Sequence, residues 1–151
     1  MKRLTIVLLA LLCAVPTIAQ NVLNDKADNI VGTYSGKQGA ERFRAKIVKL
    51  ADGTYQGQVI WLEHDKDANG NKILDTKNPD KSLRSRPADR IVLFSGLKYD
   101  AKKHQWHGTK IYDPQRGLRA QMTAVFTADG RLRIRGTLLG ISEDVYWQPE
   151  G

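Results

Sequence analysis

Side chains able to do chemistry are densest in residues 64–90, "HDKDANGNKILDTKNPDKSLRSRPADR". Asp65, Asp67, Asn69, Gly70 and Asn71 occupy the first, third, fifth, sixth and seventh places of an EF-type calcium loop. Oxygen ligands on alternate residues suit a hard divalent ion, and the glycine permits the bend. The match then lapses, because the twelfth place is Thr76 rather than a bidentate Glu, and Asp75 falls one place early. Calcium held by Asp65, Asp67, Asn69, Asn71 and Asp75 is one reading; an ordinary polar turn is the other. The second half of the segment is basic. Pro87 favours an extended chain before it, which places Arg84 and Arg86 on one face. Two guanidinium forks can clamp a ligand carboxylate or phosphate. They can equally pair with Asp75, Asp80 or Asp113 and pin the loop. A connection this long within one domain is functional or disordered as a rule.

Other chemistry is sparse. His104 and His107 are three apart, across a turn into a strand, and do not form the i, i+4 helical pair of a zinc site. Neither a Gly-rich phosphate loop nor a Ser-His-Asp order nor a carboxylate dyad is legible. No cofactor other than calcium is expected, and an enzyme is the least supported function. Trp61, Trp106, Tyr112 and Trp147 are large anchors that pack a core or, in a hollow fold, line a pocket.

The elements that position these residues read as β-strands. In "RFRAKIVKL" (42–50), Phe43, Ala45 and Ile47 share one face and the basic residues the other. "ADG" (51–53) turns the chain into "TYQGQVIWL", where Tyr55, Gly57, Val59 and Trp61 are expected on one side. The device recurs at 118–138. Leu118, Ala120, Met122, Ala124 and Phe126 face one way, a second "ADG" turns, and Leu132, Ile134, Gly136 and Leu138 face inward. Arg131, Arg133 and Arg135 then face outward beside Arg119. That basic stripe is either a solvated sheet face or an anion-attracting surface. Shorter strands are expected at 90–94, within 96–113 and at 145–148, with no sustained helical period. Many short strands between Gly, Pro and Asp turns imply an all-β antiparallel sandwich or barrel of about eight or nine strands. A single up-and-down-like barrel would bury the apolar face and remove the edges, leaving one long loop at 63–89. The small inward residues Gly57, Ala120, Ala124 and Gly136 leave room for a cavity.

Residues 1–19 read as a cleaved signal peptide: Lys2 and Arg3, an apolar run from Leu4 to Val15, and small residues at Thr17 and Ala19 before a cut at Gln20. The run is too short for a membrane anchor. Leu12 before Cys13 is too large for a lipoprotein cut, and cleavage leaves a chain without cysteine, held by its core alone. Residues 20–29 are expected to be a linker or capping segment, and 30–148 the barrel. The formal charge is +8. Export argues against a nucleic-acid partner, whereas anionic envelope components fit a basic surface. A periplasmic or secreted monomer with no transmembrane segment after cleavage is expected.

The motif Asp75, Asn78-Pro79-Asp80, Leu83-Arg84-x-Arg86-Pro87 resembles that of a bacterial exported family, domain of unknown function 2147. The resemblance continues in "VGTY" (31–34), "IVKLADGTYQGQVIWL", "WHGTKIYDPQRG" and "LRIRGTLLGI", and spans about residues 30–148. It implies a lipocalin-like β-barrel without a settled activity. One departure stands at the C-terminus, where "ISEDVYWQ" brings Glu143 and Asp144 in place of a longer apolar stretch with a basic residue. Two functions follow. The chain is a non-enzymatic barrel for an apolar or amphiphilic small molecule, with the 63–89 loop as lid. Alternatively, it is a packed barrel acting through its basic surface as an envelope interaction or stress protein. A connected interior cavity would separate them.

Overall fold

Alternating apolar and charged residues close on themselves in the computed structural model, which describes residues 21–151; the expected signal peptide lies outside the described residues. Eight strands run in chain order: β1 (Gly32–Gln38), β2 (Glu41–Lys49), β3 (Tyr55–Leu62), β4 (Val92–Asp100), β5 (Gln105–Asp113), β6 (Leu118–Phe126), β7 (Leu132–Leu138) and β8 (Ile141–Glu150). Each pairs antiparallel with the next, and β8 returns to β1, so among the described residues the sheet closes into a barrel. The count is eight because the chain runs unbroken from Val92 to Asp100. Gly96, at φ +76°, absorbs the irregularity where a break is expected. The last strand begins at Ile141, earlier than the apolar cue at Val145. Gly53 and Gly130 take positive φ at the two "ADG" turns, a conformation that glycine adopts without steric cost.

One end of the barrel is filled. Tyr34, Ile47, Tyr55, Leu97, Trp106, Met122 and Leu132 are buried there. Trp106 packs edge-on to Phe126, with ring centroids 5.8 Å apart. Gly57 is small because Phe94 occupies its side-chain space: a Cβ would lie 2.4 Å from the ring. Residues 21–30 cap this end with two short 3-10 turns, Val22–Asn24 and Ala27–Ile30. The Asn24 amide donates to the Phe126 carbonyl (3.0 Å) and accepts from its N–H (2.7 Å). Trp106 Nε1 donates to the Ala27 carbonyl at 3.0 Å, and Tyr99 Oη to that of Asn24 at 2.6 Å.

Two departures from strict alternation move functional candidates. In β3 a bulge lets Arg44 oppose Trp61 while Ala45 opposes Val59, so Ile60 is the extra residue. A one-residue slip flips every later side chain, and Trp61 therefore points outward, 41 % exposed, instead of sharing the face of Tyr55 and Val59. Second, β4 pairs with β5 only from Lys98–Asp100 to His107–Gln105, and the two strands part beyond. The 63–91 connection spans that seam. Its own ladder joins Leu74 to Pro87, with the Asp75 N–H on the Arg86 carbonyl (2.9 Å) and the Ala88 N–H on the Ile73 carbonyl (2.8 Å). Val59 N–H bonds Ile91 on one side, and Lys77 Nζ bonds the Gln115 carbonyl on the other. The loop is thus part of the side wall and not a lid laid over the opening.

Candidate ligand-binding site

The end opposite the cap is hollow. A cavity of about 730 Å³ opens there. Its lining is mainly aliphatic: Val59 and Leu62 from β3, Leu93 from β4, Ile111 from β5, Ile134 from β7 and Val145 from β8. Trp147 and Phe43 also line it; their rings meet edge-to-face at 5.6 Å. Ala120 and Gly136 leave volume in the wall, and a Cβ on Gly136 would sit 3.2 Å from that of Ala120. Of the other small inward residues, Gly57 and Ala124 belong to the filled end. The loop supplies Ile73, Leu74 and Ala88.

Polar groups ring the mouth and are tied to one another. His64 Nδ1 lies 2.9 Å from a Glu41 carboxylate oxygen, and that hydrogen bond raises the His64 pKa. Arg116 pairs with Glu143 at 3.0 Å, and the Gln38 amide donates to Asp113 at 2.7 Å. Beside them, the β7–β8 turn presents Leu139, 94 % exposed with φ +51°, and Ile141.

In the wall, Asp75 is buried and uses both carboxylate oxygens. Tyr112 Oη donates to one at 2.6 Å and Asn78 Nδ2 to the other at 2.8 Å. Burial, then the bond to Asp75, lifts the Tyr112 hydroxyl above the usual phenol range. Arg119 stacks over the Tyr112 ring, its Cζ 5.2 Å from the centroid. Arg84 Nε donates to the Asn78 carbonyl at 2.8 Å, and the Asp80 N–H to Asn78 Oδ1 at 2.9 Å.

The structure therefore gathers Asp75, Asn78, Tyr112, Arg84 and Arg119, but not through the expected ion pairs. Among the described residues neither Arg84 nor Arg86 pairs with Asp75, Asp80 or Asp113. Asp80 instead caps the turn at Lys81–Leu83 through the Ser82 N–H (2.9 Å). Asp113 accepts from the Gln115 and Arg116 N–H groups at the mouth. Trp106 lies in the filled end and Trp61 outside; Trp147 is the tryptophan that reaches the cavity.

The calcium ligands do not converge. Asp65 is bonded to the Lys72 ammonium, which also reaches Asp89 at 2.7 Å. Asp67 Oδ1 accepts the Asn69 (2.9 Å) and Asn71 (3.0 Å) N–H groups, making the segment a polar turn. Asp75 faces Tyr112 instead. Nor is the arginine stripe uniformly free: Arg131 pairs with Asp129 at 2.9 Å and stacks on Tyr146, and Arg135 pairs with Asp144 at 2.7 Å. The acidic departure at Glu143 and Asp144 thus supplies partners for Arg116 and Arg135. Sequence reasoning missed Glu41, whose only cue was its place beside the first hairpin turn.

A family model described as an uncharacterized protein conserved in bacteria (DUF2147) matches residues 32–148. No curated protein matches the chain. A solved structure described as protein HP1028 from the human pathogen Helicobacter pylori, of the lipocalin family, is similar in fold. Its TM-score is 0.63 at 20 % identity, covering 80 % of this chain and 82 % of that one.

Proposed function

The chain belongs to this DUF2147 family, and on that premise we propose that it is an exported, non-enzymatic carrier of an apolar or amphiphilic small molecule. The observation that carries the reading is a half-filled barrel. One end is packed and capped, while the other holds an apolar cavity of about 730 Å³, within the usual range for small-molecule sites. A lipocalin-like barrel fits small-ligand binding in general. Aliphatic walls favour a hydrocarbon portion inside, and the polar rim of Lys37, Glu41, His64 and Arg116 favours a polar head at the mouth. The proposed location, periplasmic or secreted, rests on the basic, apolar and small-residue order of residues 1–19. The packed-barrel alternative is weakened by the cavity and by the acids already paired with Arg131 and Arg135.

Native mass spectrometry of the protein purified from its own host tests the reading directly, with a copurified small molecule as the expected result. Titration with a dansyl-labelled fatty acid gives a second readout. Saturable binding is expected, and Ala120→Trp, which projects a ring into the cavity, should abolish it while the fold is retained by circular dichroism. No copurified molecule and no saturable binding would overturn the proposal.

A further inference from the structure

Where β4 and β5 part, a second concavity opens on the seam that the loop spans. It has a volume of about 590 Å³, and Arg86 from the loop, Lys110 from β5, and Arg119 and Gln121 from β6 all line it. We propose that this cleft binds a phosphate group. The proposal is independent of what occupies the barrel cavity.

Ion pairing on the barrel surface stops at this cleft. Five arginines elsewhere find carboxylates, Arg42 with Glu63, Arg44 with Glu150, Arg116 with Glu143, Arg131 with Asp129 and Arg135 with Asp144, while among the described residues Arg84, Arg90 and Arg133 form no ion pair and do not line the cleft. In the cleft, Arg86, Lys110 and Arg119 come from separate elements, and among the described residues none of them forms an ion pair. The two nearby acids are already engaged. Asp75 has both oxygens bonded to Tyr112 and Asn78. Asp80 is held by the Ser82 N–H and Oγ, and these bonds, followed by the fields of Arg119 and Arg84, keep its pKa low. Arg86, Lys110 and Arg119 line the concavity and no acidic residue does; gathering like charges in this way is unfavourable even with the Asp80 carboxylate nearby. A dianion with several acceptor oxygens offsets that repulsion and matches guanidinium forks.

The donors are also positioned in advance. The Arg86 carbonyl is fixed by the Asp75 N–H at 2.9 Å, which holds that stretch of backbone against the wall. The Arg119 guanidinium is oriented by the Tyr112 ring beneath it. The Gln121 amide adds a neutral donor on the same strand. A lone carboxylate would be satisfied by one fork, whereas a phosphate uses the charge of all three cations. Exposure of Lys110 and Arg119 leaves the site open to solvent.

The test is a nitrogen-15 amide NMR titration with inorganic phosphate at constant ionic strength held with chloride. Saturating shifts are expected at Gly108, Thr109 and the Gln121 side chain. Arg86→Gln and Lys110→Gln should each weaken binding about tenfold, the loss of one charge-assisted contact. Arg133→Gln, on the outer face away from the cleft, should leave it unchanged. Because Arg119 stacks on Tyr112, Arg119→Lys accompanies Arg119→Gln so that a folding defect is recognised. Shifts that never saturate in the millimolar range would overturn the proposal. So would full binding by both Arg86→Gln and Lys110→Gln, or its loss in Arg133→Gln. Glycerol 3-phosphate in a parallel titration distinguishes sources: tighter binding than inorganic phosphate identifies a phosphate ester, equal or weaker binding the free ion.

Discussion

Asp75 is a carboxylate sealed into a wall, and its two neighbours decide whether that wall holds. Removing the Tyr112 hydroxyl leaves a buried oxygen without its donor. Tyr112→Phe is therefore expected to lower unfolding free energy by about 1–3 kcal/mol, read from the urea midpoint. Asn78→Ala should cost a similar amount, and the double variant less than the sum, because both donors serve one carboxylate. Arg84→Ala should cost less than either, since Arg84 is exposed and offers a single bond to the Asn78 carbonyl. At the mouth, His64 provides a pH readout. Its pKa is raised by the bond to Glu41, so the protonated ring is favoured by the folded state. This contribution is complete below the unfolded value of about 6.5 and disappears as pH rises through the folded value. An NMR titration should place the His64 midpoint above that of a free histidine, and Glu41→Gln should return it toward the free value. The pair is exposed, so its effect on stability is small.

The strands act through what their irregular positions allow. Gly57 on β3 is paired with Phe94 on β4, and the ring fills the space a side chain would need. Gly57→Ala is expected to lower stability by about 1–3 kcal/mol in thermal melts, the usual cost of overpacking. Phe94→Leu should recover part of that loss in the double variant. The β3 bulge makes a different demand. It turns Trp61 to solvent while Trp106 and Trp147 remain buried. Trp61→Phe should remove the iodide-quenchable fraction of the tryptophan emission and change stability by no more than about 0.5 kcal/mol.

At the scale of the whole molecule, closure and capping act together. The cap residues bond to β6 and to the β4–β5 aromatics, so the filled end is sealed by contacts distant in sequence. Asn24→Ala removes a donor and an acceptor from the Phe126 backbone and is expected to cost about 1–3 kcal/mol. Circular dichroism and tryptophan fluorescence should still report one coincident transition, as a single-domain barrel unfolds cooperatively. The opposite end contributes less packing, because its apolar walls enclose the cavity. A bound amphiphile would raise the melting temperature by mass action.

The sequence by itself determined the β class, the face that Phe43, Ile47, Met122 and Ile134 turn inward, the two "ADG" turns and the separate character of residues 64–90. These are period-two and turn signals, written within a few neighbouring residues. It did not place Trp61, because Ile60, Trp61 and Leu62 are all apolar and a one-residue bulge leaves no mark in such a run. The calcium half-motif was legible, but the Lys72 ammonium that holds Asp65 was a matter of hairpin geometry. The motif Asp75, Asn78, Arg84 and Arg86 stood out, yet which carboxylates the arginines would meet depended on Tyr112 and Arg119, strands away. Whether the barrel is filled or hollow was decided only by tertiary structure. Free volume depends on how the side chains of all eight strands meet across the interior, and no local pattern carries that sum.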